Sequence, residues 1–258
     1  MQINPKLIKK QFEKSFTSYN QNAIVQKIMA EKLANGICSE KKFFGVILEL
    51  GCGTGFLTKE LIKNINFRTY YANDLVEKSK ICIEEIVPDA KFFCGNALKI
   101  KSFNNVDLIV SNAMFQWFNN LEKICLHCKK QLKSDGILAF STFSDKNFKE
   151  IKDLSGISLN YKTFDEIKNI VSKEFEILYS EEFEYTLNFN TPLELLAHMK
   201  NTGVNSLTAQ HWTFKEVKDF CDKYKEKYPE ITLTYSPVII VCKKNKIFKK
   251  FFSPLKKN

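Results

Sequence analysis

Arginine is all but missing from this chain: of its 39 lysines and arginines, only Arg68 is an arginine. Bidentate recognition of phosphates relies on arginine forks, so the shortage argues against a nucleic-acid partner although the net charge is +10. Two readings of that charge stay open. Lysine, asparagine, isoleucine and phenylalanine are abundant together, as an A/T-rich coding sequence makes them, and the lysines then merely solvate the surface. Otherwise they dock an acidic protein. No run approaches the ~18 apolar residues that span a bilayer. The opening MQINPKLIKKQFEKSF has charge throughout and no apolar h-region. The expectation is a cytoplasmic protein without stable membrane insertion. Eight cysteines are present, yet Cys125-Leu-His127-Cys128 has no second pair at zinc spacing. It falls on a helical pattern with Leu121 and Leu132, so the thiols read as reduced and structural, and no metal is expected.

The 258 residues, 44% of them apolar, suffice for one large α/β domain or two small ones. Leu7, Ile8, Phe12 and Phe16, then Ile24, Val25, Ile28, Met29 and Leu33, recur at helical spacing. SYNQN (18–22) interrupts them, and Asn35-Gly36 is a good helix stop. From Val46 the pattern changes. VILEL (46–50), RTYYAN (68–73), Ala90–Cys94, VDLIVSN (106–112) and GILAFSTF (136–143) read as strands. Between them Phe56–Lys63, Val76–Ile86 and Leu121–Leu132 read as helices. Such alternation implies right-handed crossovers and a mostly parallel sheet. Beyond a helix near Asp165–Val171 lie a long strand-like stretch (175–189) and a helix opened by Thr191-Pro192 and stopped by Gly203. A final strand spans 233–244.

The most informative stretch is VILELGCGTGFLT, 46–58. Glycines at 51, 53 and 55 allow a sharp turn and close approach of backbone to a ligand. The helix that follows offers free N–H groups and the positive end of its dipole. A dinucleotide fingerprint needs its third glycine at position 56, which is Phe here. Glu49, just ahead of the turn, would repel a pyrophosphate and favour an ammonium or sulfonium group. Asp74 follows the next strand at the ~20-residue spacing at which a carboxylate reaches ribose hydroxyls. Together these features point to an adenosyl ligand.

ELGCGTG with Asp74 downstream resembles motif I and the acidic loop of the class I S-adenosylmethionine-dependent methyltransferases. The resemblance spans roughly residues 37–241. It implies an α/β fold: a Rossmann-like seven-stranded sheet, its last strand antiparallel and formed by Leu233–Cys242, with helical lid additions. It also implies S-adenosyl-L-methionine as cofactor, Asp74 on its ribose, and Asn96 in CGNAL (94–98) at a loop whose usual acid meets the adenine amino group. Asn accepts the same hydrogen bond through its carbonyl. The cofactor-binding candidates are thus Tyr19, Glu49, Gly51, Gly53, Gly55, Asp74, Asn96, Ala97 and Asn112.

KSFTSYNQNAIVQKIMAEKL (14–33), SNAMFQWFNNL (111–121), LAFSTFSDKNFKEI (138–151), LAHMKNTGVNSL (196–207) and LTYSPVIIV (233–241) occur in an order similar to that of the malonyl-(acyl carrier protein) O-methyltransferases of biotin synthesis. That narrower resemblance implies methylation of the free carboxylate of a malonyl thioester on acyl carrier protein or coenzyme A. A carboxylate is already ionised at pH 7, so no residue need act as acid or base. The enzyme aligns nucleophile, methyl and sulfur and excludes water. Tyr19, Trp117 and Lys200 are the positioning candidates. Tyr19 would close over the cofactor, or else be a half-buried aromatic without ligand contact. Trp117 would stand near the methyl, where an aromatic face favours a sulfonium, or belong to the core. Lys200 would pair with a carboxylate or a phosphopantetheine phosphate, or simply be solvated. His198 and His211 read as structural.

The expected organisation is one methyltransferase domain over 1–258. It comprises an N-terminal helical lid (1–36), a core (37–187), a lid insertion (188–230), the last strand (231–244) and a basic tail (245–258). That tail is a frayed end, a docking face for an acidic carrier protein, or an interfacial segment. Three rivals share the cofactor: a small-acid carboxyl methyltransferase acting on an aconitate-like substrate, an RNA methyltransferase, and a non-catalytic assembly factor. The RNA enzyme would need stacking aromatics in a basic groove and more arginine. The assembly factor would be expected to have a broken glycine motif or no Asp74. Oligomeric state is not legible.

Overall fold

The computed structural model describes residues 4–245 apart from 101, 102, 104 and 205–211. His211 and all of the basic tail beyond Asn245 lie outside the described residues, as does part of the 196–207 segment. Two helices come first, α1 (Pro5–Asn22) and α2 (Ile24–Glu40). They break at Ala23, just past SYNQN, which itself stays helical. Nor does α2 stop at Asn35-Gly36. It continues another turn, and Gly36 serves close packing instead: a Cβ there would meet Val241 Cγ2 at 3.2 Å and Tyr179 Cδ1 at 3.3 Å.

The alternating segment forms β1 (Phe43–Leu50), α3 (Phe56–Asn64), β2 (Asn66–Asp74), α4 (Ser79–Ile86), β3 (Lys91–Cys94), β4 (Val106–Ser111), α5 (Leu121–Gln131) and β5 (Leu132–Phe143). Next come α6 (Lys149–Ser155), α7 (Phe164–Ser172), β6 (Phe175–Glu182), β7 (Tyr185–Phe189), α8 (Pro192–Asn201), α9 (Phe214–Lys227), β8 (Ile231–Tyr235) and β9 (Pro237–Lys244). The main sheet has the order β3-β2-β1-β4-β5-β9-β6. The pairs among β1 to β5 are parallel, and β9 is antiparallel to both neighbours. This is the expected seven-stranded α/β sheet with its last strand reversed.

Two stretches that read as single strands are each divided. The 175–189 run breaks after Glu182 and the 231–244 run breaks at Ser236, so β7 and β8 leave the main sheet as a separate antiparallel ribbon. Side chains hold the corner: Ser236 N–H donates to Asn147 Oδ1 (3.1 Å), and the Ser144 and Ser236 hydroxyls are 2.8 Å apart. Pro237, with no N–H to give a ladder, opens β9.

Apolar residues alternate across the central strands and so build a core on each face. Ile47 on β1 packs with Leu33, Ile37, Leu57 and Leu61 on one side. Leu48 packs with Ile109, Ile124, Phe140 and Val171 on the other. Cys125 and Cys128 are buried in that second cluster from α5. Among the described residues no helix is long and apolar enough to cross a membrane, and no cluster of three or more ligating groups could hold a metal.

Candidate functional site

Parallel strands end together, so β1, β2 and β4 deliver their following turns to one edge of the sheet. There a cavity of about 490 Å³ opens, within the usual range for small-molecule sites. Its floor is the glycine turn. Gly51, Gly53 and Gly55 have φ of +69°, +53° and +83°, a region that residues with a Cβ rarely occupy. A Cβ on Gly51 would lie 2.6 Å from Met114 Cγ. Gly51 and Gly53 line the cavity, whereas Gly55 turns toward α4, where a Cβ would meet Ile86 Cδ1 at 2.4 Å.

Asp74 lines the cavity beside the turn. Gly53 N–H donates to its Oδ2 (2.9 Å) and Val76 N–H to its Oδ1 (2.8 Å). Burial pushes this carboxyl up, and the two backbone donors oppose the shift. Each oxygen keeps a lone pair for a ligand hydroxyl. Glu49 is placed differently. It is 1% exposed and absent from the cavity wall, because Thr58 Oγ1 and Tyr70 Oη both donate to its Oε2 at 2.6 Å. Burial pushes its carboxyl up to about 7 despite those bonds. The acid of ELGCGTG therefore sits beneath the turn, bracing β1 against α3 and β2.

Asn96 lines the cavity, but its Oδ1 already accepts Leu98 N–H (2.9 Å), capping the one-turn 3-10 helix Ala97–Lys99. One lone pair remains for a ligand. Ala97 is buried behind this turn, and Leu98 takes its place on the wall. Asn112 also lines the cavity. Its Nδ2 donates to Gln26 O (2.9 Å) and its Oδ1 accepts Ser141 Oγ–H (2.6 Å). Ser141 Oγ in turn accepts Ala113 N–H (2.8 Å), which holds Ala113 at φ +50°.

The roof is aromatic. Pro5, Ile8, Phe12, Phe16 and Tyr19 form one stripe of α1, at helical spacing, and the stripe faces the cavity. Tyr19 stacks on Phe56 at 5.8 Å, and Phe12 meets Trp117 edge-on at 5.9 Å. Burial and nearby Asp74 push the Tyr19 phenol up, so it stays a hydrogen-bond donor. Trp117 Nε1 and the Thr54 hydroxyl, on two residues that line the cavity, are buried without a protein partner. Donors orphaned in this way fit a polar ligand seated between floor and roof.

The cavity therefore gathers Tyr19, Gly51, Gly53, Asp74, Asn96, Asn112 and Trp117, and leaves Glu49, Gly55, Ala97 and Lys200 off its wall. Lys200 stands exposed in the last turn of α8. Lys123, at the start of α5, is the lysine that lines the cavity; no spacing in the sequence marks it. Asn73 is a further supporting residue. Its carbonyl accepts the N–H groups of Gly51 (2.8 Å) and Cys52 (3.0 Å), while its Nδ2 donates to Phe93 O and Gly95 O at 2.8 Å. It clamps the glycine turn to the loop that carries Asn96. The signal was an amide near the end of a strand.

Three comparisons bear on this site. A family model described as a methyltransferase domain matches residues 48–140. A malonyl-(acyl-carrier protein) O-methyltransferase of Bacteroides thetaiotaomicron is 33% identical over 267 residues, covering 95% of this chain and all of that protein. One from Calditerrivibrio nitroreducens is 37% identical over 243 residues, covering 92% of this chain and 96% of its own length. Among solved structures, the N-methyltransferase NodS of Bradyrhizobium japonicum, in complex with S-adenosyl-L-homocysteine, is similar with a TM-score of 0.58. Its identity is 10%, with 92% of this chain and 98% of that chain covered. That last likeness speaks for the fold.

Proposed function

The chain belongs to the malonyl-(acyl-carrier protein) O-methyltransferase family, and from that membership we propose that it methylates the free carboxylate of a malonyl thioester carried on acyl carrier protein. The reaction class is S-adenosylmethionine-dependent O-methyl transfer. What supports carboxylate as the acceptor is the chemistry of the cavity wall. Among the described lining residues the carboxylate is Asp74, already held by two backbone N–H groups, and the cation is Lys123. Among the described lining residues no side chain is arranged as a general base. An acceptor that arrives ionised needs none.

When bound, S-adenosyl-L-methionine supplies an electrophilic methyl group with a sulfonium leaving group. Gly51 and Gly53 would admit its close approach to the backbone, Asp74 would accept hydrogen bonds from its ribose hydroxyls, and Asn96 would meet its adenine edge. Tyr19, Phe12 and Trp117 would exclude water and position the acceptor, the effect that dominates such transfers. The methyl ester formed is uncharged, which frees the acyl chain for elongation as a disguised fatty acid and places the step early in biotin synthesis. Lys123, beside the cavity, and the exposed Lys200 are suited to an acidic carrier protein, whose docking they would accelerate electrostatically.

The test is intact-mass analysis of malonyl-acyl carrier protein after incubation with enzyme and cofactor. A gain of one methyl group on malonyl-acyl carrier protein, and none on acetyl-acyl carrier protein, is the expected result. Methylation of free aconitate or of RNA instead, with the malonyl thioester unchanged, would overturn the assignment.

A further inference from the structure

Behind the roof lies a second, smaller cavity of about 20 Å³. It shares Phe12, Tyr19, Ala113 and Trp117 with the large one, so the two cavities adjoin at these residues. Its volume admits a group little larger than a water molecule. Its polar lining is neutral: the phenols of Tyr19, Tyr161 and Tyr235, the amides of Gln26 and Gln116, and Thr202. Gln26 is 5% exposed and its Oε1 has no protein partner.

The direction of one proton in this cavity follows from hydrogen bonds alone. Ser236 N–H can only donate, and it donates to Asn147 Oδ1 (3.1 Å). That fixes the Asn147 amide, which is fully buried, with its Nδ2 toward Tyr161 at 3.0 Å. Nδ2 can only donate, so the Tyr161 oxygen accepts and its own O–H is left to donate elsewhere. Burial pushes this phenol up, keeping the proton in place. Tyr235 stands in the same cavity, its hydroxyl 2.7 Å from His198 Nε2. His198 is held neutral, its imidazole pushed down to about 4 by burial.

We propose that this small cavity seats one oxygen of the acceptor's carboxylate, that Tyr161 donates its phenolic O–H to that oxygen, and that Asn147 is the positioning residue that aims that proton. The proposal rests on the carboxyl-methylation reading above and names the residues that confer it. Neutral donors suit the task. A lysine or arginine against the nucleophilic oxygen would stabilise the ionised ground state more than the neutral ester, raising the barrier. A phenol fixes the oxygen in place at smaller cost. Among the described residues no lysine, arginine, aspartate or glutamate lines this cavity.

Two variants test it in the full-length protein, assayed with malonyl-pantetheine and malonyl-acyl carrier protein. Tyr161→Phe removes the donor and keeps the ring. Asn147→Asp keeps an acceptor for Ser236 N–H but offers Tyr161 a second acceptor, which turns its proton away from the cavity. Both should lower kcat/KM about ten- to a hundredfold, the value of one hydrogen bond to a charged group. The loss should fall mainly on KM, since the contact weakens as the oxygen loses charge. Affinity for S-adenosylhomocysteine should stay within about twofold of wild type. Inhibition of wild type by malonyl-pantetheine, and not by acetyl-pantetheine, should disappear in Tyr161→Phe. A folded Tyr161→Phe enzyme with unchanged KM and unchanged discrimination would overturn the proposal. If Asn147→Asp fails to fold, Tyr161→Phe alone decides. A wild-type enzyme that methylates no malonyl thioester would remove the underlying reading and this one with it. Active wild type beside unaffected variants would remove this one alone.

Discussion

The wall that carries Gly51, Gly53 and Asp74 comes from the carboxyl ends of neighbouring parallel strands. The opposite wall comes from α1, the turn after β4 and, in the small cavity behind it, residues as distant as Tyr161 and Tyr235. The first is made of backbone: positive-φ glycines, N–H groups aimed at a carboxylate, and an amide clamp at Asn73. The second is made of side chains, mostly aromatic, whose contacts are set by tertiary packing. A backbone wall suits a ligand common to many enzymes, because its geometry follows from the fold. A side-chain wall is free to vary with the acceptor. On the proposed function the cofactor lies against the first wall and the acceptor against the second.

The largest expected effect breaks the backbone wall. Gly51→Ala combines a positive φ with a Cβ 2.6 Å from Met114 Cγ, a cost of roughly 2–5 kcal/mol from backbone strain and overpacking. Gly53→Ala has a similar φ, but nothing lies within 4 Å of its Cβ, so only the strain of about 1–2 kcal/mol applies. Chemical denaturation of both variants, with cofactor-product titration on each, should rank Gly51→Ala as the more damaged. Equal damage would mean that Met114 gives way and that the turn is less confined than the distances indicate.

Next in size is an effect beneath the same wall. The Glu49 carboxyl is raised from an ordinary value of 4.5 to about 7 by burial, so the folded state holds its proton more tightly than the unfolded chain. Stability from this group is then fully present below about 4.5 and is lost as pH rises through about 7, a change of about 3 kcal/mol. Glu49→Gln removes the titration, and its Oε1 still accepts from Thr58 and Tyr70. Urea unfolding at pH 5 and pH 8 should show wild type losing more stability between the two than the variant. A parallel loss in both would place the titration elsewhere.

The two walls also differ in how far they could be read from sequence. The strands of the parallel half and the glycine turn were legible because VILEL, the three glycines and Asp74 are local signals within one crossover unit. Glu49 was legible as an acid at the turn but not as a buried one, since its environment is set by Tyr70 on the neighbouring strand and Thr58 on the next helix. The breaks at Glu182 and Ser236 were hidden because both runs keep strand-like residues throughout, and what bends them is a corner held by Asn147 and Ser144. Helix α9 carried a readable start, the Thr213-Glu216 capping box, that the apolar pattern alone did not register. Lys200 fitted a motif, yet helical phase puts it on the exposed side of α8. Tyr161 and Tyr235 carried no local signal: their meeting depends on how β5, α6 and β8 pack.

The division between the walls is most directly tested by titrating S-adenosylhomocysteine into wild type, Asp74→Ala and Trp117→Phe by calorimetry. Asp74→Ala removes a charged acceptor and leaves the Gly53 and Val76 N–H groups unpaired, so its affinity should fall about a hundredfold. Trp117→Phe keeps an aromatic wall and should bind within about threefold of wild type while its turnover of malonyl-acyl carrier protein drops. The reverse pattern, with Asp74→Ala binding normally and Trp117→Phe losing the ligand, would contradict the assignment of cofactor to the strand ends and acceptor to the aromatic roof.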